Sequence, residues 1–484
     1  MAKRDQDREV SRRALIKWSL AAGAALGVSR AKVLEVLEKT GGKSVVEAAA
    51  ATPNKRSVHI RGGTGGIAWY QLMWPHNDVA AAHRAAGAWP FAAGQTTTLT
   101  GTGGTLTRGP QTPWASLDTN HQVTAVMAGT NEIHNANPNA VVRSLTTGSL
   151  FAIASVLQAD IPSVVPVIAV GNVDFGNGAG APVPAGALTA DAIVGLFNST
   201  ASQAGGLLAI SGHADLYRAQ YETLATLNRA STLSTTRAAY HTGRASAKFL
   251  GTNLAAKLAY RTNATRTGAD DVLYGMTAGS PFDSISNNNG DTGGPRRDQL
   301  ANFGKSLAAA AKAFELGLAA SIVLPSIEDD PHGAFSNNAL TADATATLAT
   351  MKTMLDGFMA DLAARHDGVT GEPLANNIVI TIEGDTPKDP NTNTGWPDQT
   401  PGQSNWIYIL GGGRLKSGWF GGVDRNGGVQ GFNPATGAAI GSPNGAAQTA
   451  QAQAAVAATA YAITNGDIRR VQDFTPLDIS ALIV

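Results

Sequence analysis

No cysteine occurs among the 484 residues, which excludes disulfides, thiolate metal sites and cysteine nucleophiles together. An excess of one charge is also missing. Thirty-six basic residues balance 36 acidic ones, so the chain lacks the electrostatic footprint of a nucleic-acid binder. Charged residues make up 15% and aromatics 6%, while hydrophobic residues reach 43%, enough for a sizeable core. No apolar run approaches the ~20 residues that a membrane-spanning helix needs. No G-x-S-x-G elbow occurs, which argues against an α/β-hydrolase. Glycine is abundant, at 55 residues, and its clusters mark turns and close packing.

Residues 1–50 read as a targeting segment. A polar stretch precedes Ser11-Arg12-Arg13-Ala14-Leu15-Ile16-Lys17, and an apolar stretch follows from Trp18 to Val28. This arrangement resembles the twin-arginine (Tat) signal: an arginine pair, two large apolar residues, then a lysine ahead of a short apolar region. The resemblance implies passage of a folded chain through the Tat machinery to the periplasm or the exterior. Ala48-Ala49-Ala50 offers small residues for cleavage, and helical spacing over 31–39 leaves an uncleaved anchor as the alternative.

The remainder, 51–484, reads as one α/β domain with a helical insertion around 214–265. Short apolar runs at 57–60, 123–128, 164–170, 321–324, 377–382 and 406–410 have the length of buried strands. Longer helical stretches fall at 215–261, 298–317, 342–365 and 448–464. Residues 270–297 read as loop, and 411–445 as a glycine-rich hairpin or loop. Continuous apolar strands alternating with helices predict a mainly parallel sheet with helices on both faces. Sites in such sheets gather at the carboxyl ends of the strands, here the loops after Ile60, Leu324 and Ile382.

Two glycine motifs fail on context. Gly63-Thr64-Gly65-Gly66-Ile67-Ala68 follows a strand, but Pro75 cuts the next helix short, and Asp78 comes too early to hold a ribose. A tight turn is the better reading. Gly411-Gly412-Gly413-Arg414-Leu415-Lys416-Ser417 lacks the glycine that a phosphate loop places before its lysine. Chemistry points instead to Glu328-Asp329-Asp330-Pro331-His332 after the strand 321–324. Carboxylates and an imidazole at a strand end suit a divalent cation, although a solvated acidic loop reads the same way. Glu383-Gly384-Asp385, with Asp398 beyond, and Asn131-Glu132-Ile133-His134-Asn135 also follow strands.

The order of these landmarks resembles that of a known group. Ile60-Arg61-Gly62-Gly63, His134, Asp330-Pro331-His332, Glu383-Gly384-Asp385-Thr386-Pro387 and the segment 398–413 together resemble a family of Tat-exported bacterial proteins defined only as a domain of unknown function. That family is similar to a remote branch of the alkaline phosphatase and sulfatase superfamily. The resemblance covers most of 51–484 and is weakest around 170–300. It implies a metal-dependent hydrolase of phosphate or sulfate esters, with Asp330, His332 and Asp398 as metal ligands. It implies Thr64 as nucleophile and His134 as proton donor or ligand. Two departures stand out: Gln399 replaces the histidine of an Asp-His pair, and Thr64-Gly65-Gly66 replaces an acid. Both lower the expected metal affinity, so the alternative is a catalytically silent exported binding or assembly protein on the same fold.

Overall fold

The computed structural model describes residues 54–63, 65–75, 97–100, 105–118, 121–127, 148–159, 161–171, 173, 175–176, 178, 180–197, 254–287, 295–337, 339–368, 370–389, 395–396, 398, 405–423, 428–442 and 445–484. They belong to one compact unit, Asn54–Gln203 with Thr252–Val484. The export segment read at 1–50 lies outside the described residues, as does most of the proposed insertion at 214–265.

Among the described residues, eight strands form the main sheet: β1 Arg56–Gly62, β2 Thr124–Met127, β3 Val165–Val170, β4 Ala185–Ala187, β5 Ala319–Pro325, β6 Ile378–Gly384, β7 Trp406–Leu410 and β8 Gly418–Phe420. Their spatial order is β8-β2-β7-β6-β1-β5-β3-β4. All neighbours pair in parallel except the two pairs that β7 makes, with β6 and with β2. The protein is therefore α/β, with a mostly parallel sheet. β7 runs against the others. It is the next strand of this sheet after β6 and lies directly beside it in an antiparallel pair.

The centre of the sheet is β6-β1-β5, buried on both faces. In-register pairs Val58–Ile380 and Ile60–Ile382, with Ile322 and Leu324 across from them on β5, stack one face. Because side chains alternate along a strand, residues 57, 59 and 61 point to the other face.

Helices cover each side. Helix α1 is Ile67–Met73, α2 Leu150–Leu157, α3 Arg296–Glu315, α4 Ala342–Ala363 and α5 Gly445–Ile463. On α3, Leu300, Phe303, Leu307 and Phe314 recur at helical spacing and are fully buried. On α4, Leu348, Met351, Leu355, Phe358 and Leu362 do the same. The Thr341 hydroxyl caps α4 by accepting from Ala344 N at 3.2 Å. Each such buried apolar side chain contributes roughly 2 kcal/mol. The opposite side is packed by α2 and the alanine-rich α5, whose small side chains let it lie close to Val323, Val379 and Ile407. Among the described residues, no helix is long and apolar enough to cross a membrane.

One expectation needs correcting, and the hairpin reading of 411–445 is extended. The segment 270–297 contains a helical turn, Ala269–Leu273, and a 3-10 turn, Pro281–Ser284. Paired acids stabilise the first: Asp270 takes Lys312 and Arg261 as partners, and Asp271 accepts from Gly268 N at 3.0 Å. The stretch 411–445 contributes β8 to the main sheet and folds into a small three-stranded sheet spanning Gly422 to Ile440. Its strands are short and glycine-rich, so alternation is lost.

Candidate metal centre

β1, β5 and β6 are adjacent and parallel, so the loops that follow them share one edge of the sheet. The glycine cluster after β1 owes its composition to that crowding. A Cβ on Gly66 would stand 1.9 Å from Ile327 O, and one on Gly65, at φ +81°, would stand 2.7 Å from the Asp330 Cα. Gly65 N also donates to Asp385 Oδ1 at 2.8 Å. The turn is tight so that the acidic loop can lie against it. The following helix α1 has only seven residues, in keeping with rejection of a dinucleotide fold.

The acidic loop is held from several sides. Gln299 on α3 accepts from Glu328 N at 2.6 Å, and Trp69 on α1 donates its indole N–H to Asp329 O at 3.1 Å. Arg296 pairs with both Asp329 and Asp343, and its guanidinium lies 4.9 Å from the centre of the Trp69 ring. Asp329 is therefore a structural anchor. Its neighbour Asp330 is left to face the site.

Asp330, His332 and Asp398 come together here, with one potential ligand atom from each within 4.8 Å of the others. His332 Nε2 lies 3.1 Å from Asp330 Oδ2 and 3.5 Å from Asp398 Oδ1. Its Nδ1 lies 3.1 Å from Gly395 O and donates to it, which turns Nε2 toward the carboxylates. Oxygen and imidazole donors at these separations fit a divalent cation, since ligands at ~2.1 Å in a tetrahedron stand about 3.4 Å apart. The side chain of Asp330 is 1% exposed, whereas those of His332 and Asp398 are 45% and 37% exposed, so the site opens on one side.

A fourth residue, unforeseen in the sequence, sits among them. Lys388 Nζ pairs with Asp330 and with Asp398 and stands 3.1 Å from His332 Nε2, with its side chain fully buried. Gln71 on α1 clamps its backbone, accepting from Lys388 N at 3.1 Å and donating to Lys388 O at 2.8 Å. Nothing local marks this lysine. It follows Asp385-Thr386-Pro387 in a polar loop and becomes a buried ammonium only through tertiary packing.

Below the rim, the sheet carries a buried polar chain. Thr381 Oγ1 donates to Glu383 Oε2 at 2.8 Å and lies 2.8 Å from His59 Nδ1, which donates to it. Among the described residues, Glu383 Oε1 and His59 Nε2 are buried without partners. Burial pushes the Glu383 carboxyl up to about 8, even against the hydrogen bond from Thr381 and the charge of Arg61. Burial also pushes the His59 imidazole down to about 3. At neutral pH both groups are predominantly uncharged. His59 hides in an apolar strand, and only its polarity amid Val58 and Ile60 could have drawn attention to it.

Thr64, His134 and Gln399 lie outside the described residues. The fold and the site define a mostly parallel α/β protein with a potential cation-binding cluster at the carboxyl rim of its sheet. Comparison with family models, curated proteins and solved structures finds no match for this chain.

Proposed function

We propose that this protein is an exported metal-dependent hydrolase of phosphate or sulfate esters, of the alkaline-phosphatase-like kind, with Asp330, His332 and Asp398 as ligands. The observation that carries the reading is the convergence of those three donors on an open rim of a parallel sheet. They come from segments about 70 residues apart, and two of them lie on one loop. A divalent ion bound there would neutralise developing charge on an ester oxygen. Thr64 is the proposed nucleophile, because its chain neighbours Gly63 and Gly65 pack on Glu328 and Asp330. His134 is the proposed donor of a proton to the departing alcohol oxygen. The Tat-like segment around Arg12-Arg13 supports delivery to the periplasm or beyond.

A second reading rests on Lys388. A site whose positive charge belongs to the chain can persist without metal, as in a silent exported binding protein on this fold.

Purified protein, stripped with chelator, is assayed on p-nitrophenyl phosphate and p-nitrophenyl sulfate with added zinc, manganese, magnesium or calcium. The hydrolase reading expects turnover with at least one ion and its loss in Asp330→Asn. No turnover with any ion on either ester overturns it in favour of the silent reading.

A further inference from the structure

Two carboxylates do not gather without a cation. The carboxylates of Asp330 and Asp398 both lie against His332 Nε2, close enough to repel each other unless positive charge stands between them. Lys388 Nζ is that charge, and it touches all three residues at once. An ion held by the same donors needs the space that Nζ fills, and two cations do not share it. The backbone at residue 388 is pinned in both directions by Gln71, so any exchange has to be made by the flexible side chain and not by the loop.

We propose that Lys388 is the built-in competitor of the metal, withdrawing its side chain when an ion binds and returning when the ion leaves. This rests on the metal-site reading above and adds what sets the site's affinity. In the metal-free chain the lysine compensates Asp330, whose side chain is 1% exposed, and so keeps a buried carboxylate from standing unpaired. Ion binding therefore has to overcome a contact already made. The site is weaker for metal than its donors alone would make it.

Two measurements test this. In the first, zinc and manganese are titrated calorimetrically into chelator-treated wild type, Lys388→Met and Lys388→Met/Asp330→Asn. Exchange predicts at least tenfold tighter binding to Lys388→Met than to wild type, and loss of binding in the double variant. Equal or weaker binding to Lys388→Met, with wild type still binding, overturns the exchange and leaves the metal site standing. Absence of binding in both wild type and Lys388→Met overturns the metal site and the exchange together.

The second measurement needs no variant. Wild type is acetylated with an amine-reactive ester, with and without zinc, and labelling at residue 388 is read by mass spectrometry. Exchange expects protection without the ion and labelling with it. Unchanged protection at a zinc concentration that saturates binding overturns the proposal.

Discussion

Replacing Glu383 by Gln should make the protein more resistant to alkaline conditions, by an amount that grows with pH. Glu383 is buried, one of its oxygens has no partner among the described residues, and its carboxyl is raised from the ordinary 4.5 to about 8. A carboxyl raised on folding favours the native state fully below its unfolded value, and that contribution is lost as pH climbs to the folded value. The loss runs from pH 4.5 to about 8. At about 1.4 kcal/mol per pH unit it totals roughly 5 kcal/mol. Gln does not titrate, and its carbonyl can still accept from Thr381. Its amide nitrogen inherits the unpartnered position, which adds a constant cost of about 1–3 kcal/mol. The slope is therefore the readout, not the intercept.

Urea unfolding of wild type and Glu383→Gln at pH 5, 6, 7, 8 and 9 measures it. The difference should shift in favour of the variant with each step up to pH 8 and then level off. A difference that stays constant within about 1 kcal/mol from pH 5 to 9 refutes the buried neutral carboxyl.

Other outcomes follow from the same packing. His59 works in the opposite direction: lowered to about 3, it favours the native state above 6.5 and withdraws that stability as pH falls. Between pH 4.5 and 6.5 the two groups therefore offset one another, so the Glu383→Gln variant should gain stability across this range where wild type is level in these two terms. Gly66→Ala places a methyl against Ile327 O and should cost about 3 kcal/mol in urea unfolding; a neutral result contradicts the close approach. Asp367→Asn strips the buried Arg56 of its partner, fully enclosed beside Phe314, and should cost about 3–5 kcal/mol. A loss under about 1 kcal/mol would mean that water reaches the pair. Replacing Arg12-Arg13 by Lys-Lys should leave the protein in the cytoplasm by fractionation; continued export removes the Tat reading.

The frame of the fold is legible in composition and spacing. Strands such as 319–325 and 378–384 are mostly apolar, interrupted by Ser321, Thr381 and Glu383, and α3 and α4 repeat large apolar residues every three or four positions, because burial on a regular element imposes that period. Direction and edge are not encoded so locally. β7 looks like its parallel neighbours in sequence, and nothing within the strand marks its reversed direction. β8 is three residues with one glycine, too short to show alternation. At the rim, Asp330 and His332 are visible because acids and an imidazole crowd one loop. Asp398 stands far along the chain and enters through family resemblance. Lys388 escapes notice, because a lysine in a polar loop looks solvated until packing buries it. The same holds for Arg296, whose anchoring of Asp329 depends on Trp69 and Asp343, distant in sequence.

Diffraction from manganese-soaked crystals, recorded with anomalous signal, tests the metal centre most directly. The account predicts an anomalous peak bounded by Asp330, His332 and Asp398, with the Lys388 side chain moved away from it. Crystals that show no peak there, with Lys388 still pairing both carboxylates at saturating manganese, would contradict it.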